Sequence, residues 1–208
     1  MALLLLVFAY LMGSIPTGVI LAKAFSDVDP RQQGSGNIGA TNIYRTVGKK
    51  LGAITLLGDT LKGLIPVVIV RGVLDSPFWV GAVALAAFLG HVYPIFLKFK
   101  GGKGIATGLG VFLALAPFPT ILSLVVFIAV AYTWRYVSLG SLSATAAFPI
   151  LLAIFSPHRI YLPFALVIGV LIFYRHRENI RRLTAGKESK FGMKFRTTPS
   201  PPEGSSLR

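Results

Sequence analysis

Between two apolar stretches the sequence turns polar, as 34-GSGNIGATNIYR-45. Closely spaced glycines, here Gly34, Gly36 and Gly39, let backbone N–H groups turn toward an anion with no Cβ in the way. Ser35, Asn37, Thr41 and Asn42 add neutral donors, and Arg45 adds a planar fork of N–H groups suited to phosphate. The combination reads as an anion cradle. The competing reading is a flexible connector, which does not usually concentrate so many donors beside an arginine. The same glycines match the G-x-G-x-x-G dinucleotide fingerprint, but that fingerprint works only between the strand and helix of a βαβ unit. Here a polar loop precedes it and an apolar segment follows, so the nucleotide reading is rejected on context.

Three further stretches carry chemistry. In 98-KFKGGKGIATGLG-110, Gly101, Gly102, Lys103 and Gly104 stand just before an apolar segment that starts near Ile105. This is not a Walker A loop, because Gly104 rather than Ser or Thr follows the lysine. It does put glycines and a cation at a helix start, where anions are favoured; the plain alternative is a basic membrane-edge loop with snorkelling lysines. Ser141, in 139-LGSLS-143, opens another apolar segment and alone reads as a helix cap. In 175-RHRENIRR-182, His176 and Asn179 are three apart and share a helix face, flanked by Arg175 and Arg177. A basic helix lying on anionic lipid explains the arginines but not the aligned His and Asn. Asp59 and Lys62, three apart inside an apolar segment, read as a structural ion pair. His91 reads as structural and remote from the glycine loop.

The absences narrow the chemistry. The seven acids, Asp27, Asp29, Asp59, Asp75, Glu178, Glu188 and Glu203, form no cluster, the three histidines are scattered, and there is no cysteine. No metal centre or thiolate nucleophile is expected. No histidine has an aspartate four or five residues later, so the His-x4-Asp acyltransferase signature is missing.

The elements that must position these residues are membrane helices. The chain has 208 residues, 54% hydrophobic and only 13% charged, with a mean hydropathy of +0.71; a soluble domain carries about a quarter charged residues. The expected fold class is an all-α integral membrane protein. Apolar segments near 2–24, 51–71, 77–97, 105–117, 119–134, 140–155 and 160–174 give about seven transmembrane helices, several of them short, with Pro16 kinking the first. The N-terminal segment lacks the positively charged start of a signal peptide and reads as a retained span. Residues 1–184 form a single membrane domain, and 185–208 read as a loose polar tail. The net charge of +14 points to orientation signals and anionic headgroups. It does not point to nucleic acid, because no soluble basic domain is left to bind it. With the N-terminus outside and the C-terminus inside, 18 of the 21 Lys and Arg fall inside and only Arg71 and Arg159 outside. Every chemically unusual loop lands on that inner face.

Taken together, 35-SGNIGATNIYR-45, 100-KGGKGIATGLG-110 and 175-RHRENIRRLTAGKE-188 resemble the bacterial membrane glycerol-3-phosphate acyltransferases that use acyl-phosphate, the PlsY family, in the family's order. The resemblance extends to 13-GSIPTG-18, 58-GDTLKG-63 and 91-HVYP-94. It implies transfer of a fatty acyl group from acyl-phosphate to the 1-hydroxyl of glycerol 3-phosphate, giving lysophosphatidic acid and phosphate, with no cofactor. It implies a multi-pass protein of the bacterial inner membrane, embedded in membrane lipid, with its site on the cytoplasmic face. An upstream enzyme that makes acyl-phosphate is compatible with this and not required as a partner. The family's functional positions fall on Ser35, Arg45, the glycines around Lys103, Lys103 itself, His176 and Asn179, while Glu188 looks structural. Beside that resemblance, the residue chemistry assigns Arg45, Lys103 and the backbone of Gly36, Gly39, Gly101, Gly102 and Gly104 to phosphate. It assigns Ser35, Asn37, Thr41, Asn42 and Ser141 to donor roles, and His176 and Asn179 to orienting glycerol 3-phosphate. The competing class, a small-anion transporter, calls for a midplane site and paired repeats, and the sequence displays neither.

Overall fold

The structure, a computed structural model, describes residues 1–191. All regular elements among them are helical. Each of the seven apolar segments is a helix or a broken helix. The first is split into α1 (Ala2–Ser14) and α2 (Thr17–Phe25). Pro16 sits at the break, where its missing N–H and fixed φ interrupt the hydrogen-bond ladder. A short α3 (Ala40–Thr46) lies within the first polar loop. It is followed by α4 (Lys49–Arg71), α5 (Pro77–Val92), α6 (Ile105–Leu115), α7 (Pro117–Trp134), α8 (Val137–Phe155), α9 (Leu162–Arg175) and α10 (Arg177–Thr184).

Five of these stretches are long and apolar enough to cross a membrane, and a sixth is counted if α9 and α10, bent by 58°, are one span. The shortfall from seven lies at α6. Its 11 residues reach about 16 Å at 1.5 Å per residue, roughly half of a hydrocarbon core about 30 Å thick. The helix ends at Leu115, and Pro117 at once begins α7.

Small residues let the helices approach closely, as expected where lipid removes the ordinary hydrophobic drive. A Cβ on Gly13 would sit 2.0 Å from the Ala87 carbonyl oxygen, and one on Gly90 would sit 2.2 Å from that of Tyr10. These contacts lock α1 onto α5. Gly63 and Gly110 do the same between α4 and α6, against Thr107 and Thr60. The core between them is apolar, built on Val67, Val83, Phe88, Val111, Leu152 and Ile168. Large apolar side chains such as Leu4, Val68, Ile128 and Val170 face outward, as a lipid solvent allows.

The Asp59–Lys62 pair is present as an ion pair 2.7 Å apart, both side chains almost fully buried. Lys62 Nζ also donates to the Ile15 carbonyl at 2.7 Å. That carbonyl lies at the Pro16 break, where it also accepts the Thr17 N–H at 3.0 Å, so the buried ammonium is a second donor to an acceptor outside the helical ladder.

The segment after α10 differs from the expected loose tail. Glu188 is only 5% exposed, and the Phe191 N–H donates to the Arg135 carbonyl at 2.6 Å. The Phe191 ring stacks on Tyr44 with centroids 6.0 Å apart. Residues 187–191 therefore strap back over the loops; the remainder of the expected tail, 192–208, lies outside the described residues.

Replacing one partner of a buried pair strands the other, at a cost of about 3–5 kcal/mol. Lys62→Met is expected to lower the thermal melting point of the detergent-solubilised protein sharply. The double change Asp59→Leu with Lys62→Met should be milder than Lys62→Met alone.

Candidate active site

At one end of the bundle the first polar loop, the glycine loop and α10 surround a cleft of about 390 Å³. Ser35, Gly36, Asn37, Gly101, Lys103 and Asn179 line it, together with Arg31, Phe99, Lys100, Arg175, Arg177, Glu178 and Arg182. Ile38 completes the fourteen lining residues, of which six are Lys or Arg and one is acidic. Such a cleft concentrates positive potential and suits a doubly charged anion.

The glycine loop is shaped from below by α5. The Gly102 N–H donates to the His91 carbonyl at 3.2 Å, and a Cβ on Gly102 would sit 2.2 Å from His91 Nε2. His91 is therefore in contact with the loop, although the intervening sequence suggests it is remote. From the side, Arg175 donates to the Gly101 carbonyl at 2.6 Å and, through Nε, to the Gly102 carbonyl at 3.1 Å. With those carbonyls tied down, Lys103 projects into the cleft. Gly104 then closes the turn with φ +85°, a conformation open to glycine, and caps α6.

Lys103 Nζ donates to Asn179 Oδ1. Asn179 Nδ2 donates to Glu188 Oε1 at 2.7 Å, and the same carboxylate accepts from Ser138 at 2.7 Å and, through Oε2, from Arg182 at 2.7 Å. Burial alone would raise the Glu188 pKa, but these hydrogen bonds outweigh it and hold the carboxyl below its ordinary value. Burial pushes Lys103 down to about 8, with Glu188 opposing the shift and Arg182 and Arg45 adding to it. Lys103 is thus held by a hydrogen-bonded chain that runs through α10 into the C-terminal strap.

Other expected site residues are set back from the cleft. Asn42 is buried and fully engaged: its Oδ1 accepts the Ser35 N–H at 2.9 Å, and its Nδ2 donates to the Pro30 and Gln33 carbonyls at 2.8 and 3.1 Å. It shapes the first loop and leaves Ser35 exposed at the cleft. Asn37 does line the cleft, with its Oδ1 accepting the Gly39 N–H at 2.8 Å. Thr41 is exposed on α3, away from the lining. Arg45 is half-buried and donates to the Ser189 carbonyl at 3.4 Å; burial pushes its pKa down against the attraction of Glu188. Ser141 is buried with its hydroxyl on the Val137 carbonyl at 2.9 Å. His176 is buried at the bend between α9 and α10, its Nδ1 2.8 Å from the Ile172 carbonyl. Since a carbonyl only accepts, Nδ1 carries the hydrogen. The helix breaks at His176, so it holds the corner from which α10 presents Asn179.

Sequence reading missed Arg31, Phe99, Lys100 and Arg182 as lining residues and Ser138 as the partner of Glu188. Arg31 and Lys100 had a signal, as cations flanking the two glycine-rich blocks. Ser138 had none, because its partner lies 50 residues away. Among the described residues no group of three or more His, Cys, Asp or Glu side chains is placed to hold a metal.

Fold and cleft together define a multi-pass membrane protein with a cationic, glycine-lined cleft at one end of its helices. The sequence model described as glycerol-3-phosphate acyltransferase matches residues 3–186, and the chain belongs to that family. The glycerol-3-phosphate acyltransferase of Geotalea daltonii is 52% identical over 189 residues, 91% of this chain and 97% of the relative. That of Geobacter sulfurreducens is 54% identical with the same coverage. A crystal structure of PlsY (YgiH), an integral membrane glycerol 3-phosphate acyltransferase in its glycerol 3-phosphate form, superposes with a TM-score of 0.87 at 47% identity, covering 92% of this chain and 96% of that one. Its lysophosphatidic acid form gives 0.85 at 46%, covering 92% and 95%.

A protonated lysine binds an anion and a neutral amine does not. Because Lys103 is pushed down to about 8, affinity for an anion is expected to be full below that pH and to fall as pH rises through it. Titration calorimetry with sulfate, whose own charge is constant over this range, from about pH 6.5 to 9.5 checks this. Lys103→Arg should remove the fall.

Proposed function

We propose that this protein transfers a fatty acyl group from acyl-phosphate to the 1-hydroxyl of glycerol 3-phosphate, on the cytoplasmic face of the bacterial inner membrane. The products are lysophosphatidic acid and inorganic phosphate. The observation that carries the reading is the cleft itself, where Lys103, Ser35 and two glycine-rich backbones converge among six cations. Both substrates carry a phosphate, so a site with many cations and one acid suits them. The family relationship supports glycerol 3-phosphate as the acceptor.

Acyl-phosphate is already activated, so the remaining work is positioning and charge stabilisation. Lys103 and Ser35 hold the phosphates in the cleft and Arg45 supplies a further cation; the Gly36 and Gly102 N–H groups turn inward instead, onto the Gln33 and His91 carbonyls at 3.1 and 3.2 Å. Ser35 and Asn37, which line the cleft, donate to the acyl-phosphate and to the oxyanion that develops on its carbonyl; Thr41 stands off the lining and the Ser141 hydroxyl is engaged with the Val137 carbonyl, so neither takes a donor role. Asn179, placed by His176, orients glycerol 3-phosphate. The 1-hydroxyl oxygen bonds to the acyl carbon, the bond from that carbon to the phosphate oxygen breaks, and the hydroxyl proton ends on a substrate phosphate oxygen. His176 is buried and does not line the cleft, which favours this substrate-assisted route. The route needs no acyl-enzyme.

Purified protein given glycerol 3-phosphate and either acyl-phosphate, acyl-CoA or acyl carrier protein should form lysophosphatidate from the first alone. Lys103→Ala and Arg45→Ala should each lower kcat/KM by about 10- to 100-fold, the scale of a lost charge-assisted hydrogen bond. An equal rate with acyl-CoA removes the donor assignment, and an acyl-Ser35 or acyl-Ser141 adduct found by mass spectrometry removes direct transfer.

Orientation is tested separately. The chain has no cysteine, so single cysteines report topology cleanly. Asp75→Cys should react with an impermeant maleimide on the periplasmic side, and Lys187→Cys only once the inner membrane is opened.

A further inference from the structure

Between the end of α5 and the glycine loop, two consecutive non-glycine residues adopt left-handed backbone. Lys98 has φ +51° and Phe99 has φ +62°. For a bulky aromatic this conformation is an outlier. Lys98 ends the short 3₁₀ turn Ile95–Leu97, where one left-handed residue is an ordinary way to stop a helix. The second is not needed for that purpose. It is held in place by main-chain bonds, from the Phe99 N–H to the Pro94 carbonyl at 2.9 Å and from the Lys100 N–H to the Leu97 carbonyl at 3.1 Å.

What the strained residue accomplishes is visible in where its ring goes. Phe99 is 58% exposed, yet it lines the cationic cleft beside Lys100, Gly101 and Lys103. It stands two residues beyond the membrane stretch Pro77–Leu97. One turn earlier, at the end of that stretch, Ile95 and Phe96 are 48% and 59% exposed. Exposed apolar side chains thus stand both at the end of the membrane stretch and at the mouth of a site for phosphates. A ligand that fits both is an amphiphile with a phosphate head and an apolar chain.

Building on the acyl-transfer reading of the cleft, we propose that the Phe99 ring contacts the acyl chain of the donor where it passes from the bilayer into the cleft, and so selects long-chain donors. Phosphate binding does not use the ring. Its removal therefore penalises a donor in proportion to the chain it carries.

Steady-state kinetics with palmitoyl-phosphate and hexanoyl-phosphate test this in the wild type, Phe99→Ala, Phe99→Leu and Phe99→Gly. Phe99→Ala should lower kcat/KM for the palmitoyl donor about tenfold, the scale of losing part of an aromatic contact with an alkyl chain. It should change the hexanoyl donor and the KM for glycerol 3-phosphate by less than about twofold. Phe99→Leu should restore most of the palmitoyl rate. Phe99→Gly relieves the left-handed backbone and should melt no lower than Phe99→Ala while sharing its selectivity loss, which separates contact from stability. Unchanged palmitoyl turnover, or equal losses on both donors, overturns the proposal. If the wild type uses acyl-CoA instead, the acyl-phosphate reading falls, and the same comparison on palmitoyl- and hexanoyl-CoA decides the role of Phe99.

Discussion

No side chain fits between His91 and the backbone at residues 101 and 102. A Cβ on Gly101 would sit 2.2 Å from the His91 carbonyl oxygen, and one on Gly102 the same distance from the ring. This contact sets the depth of the glycine loop in the bundle, and the rest of the site follows from it. With the loop seated on α5, the Gly101 and Gly102 carbonyls come within reach of Arg175. With them tied, Lys103 reaches Asn179 and Asn179 reaches Glu188. One van der Waals constraint on α5 is thereby passed to helices far apart in sequence.

Much of the polarity inside the bundle is answered, although among the described residues His91 Nδ1, Thr107 Oγ1 and Ser123 Oγ are buried without a hydrogen-bond partner. Lys62 meets both Asp59 and the carbonyl at the Pro16 break, so the kink and the intramembrane charge are solutions to each other. Thr55 and Thr120 return their hydroxyls to carbonyls one turn back, as hydroxyls do where no water is near. All the charge that can do chemistry gathers at the opposite extreme, around a cleft walled by loops. A membrane protein can afford dense cation repulsion there because water and counter-ions reach the cleft and ligands arrive with negative charge.

Much of this was legible in the sequence, for physical reasons. Apolar segments of helical length, the break at Pro16, the Asp59–Lys62 spacing and the start of α6 at Ile105 are local signals. Glycine and donor composition marked the two loops that line the cleft. Reading failed where the partner was distant. Asn42 has the right chemistry for a ligand, but its three hydrogen bonds go to its own loop. Ser141 was the serine that stood out on α8, yet Ser138, one turn earlier, meets Glu188. His91 reads as remote by distance along the chain, which a returning loop makes irrelevant. The loose tail was inferred from polarity, and polarity does not distinguish a free end from one whose charges are paired.

The strap illustrates that last point. The family match ends at residue 186, yet Ser189 and Phe191 touch Arg45, Arg135 and Tyr44. Most of these contacts run through main-chain carbonyls and amides, which any amino acid supplies. Beyond Glu188, then, the path of the chain makes more of these contacts than its side chains do. The strap is held by main-chain groups that make no demand on residue type, and the folded structure continues past the last residue that the family model matches.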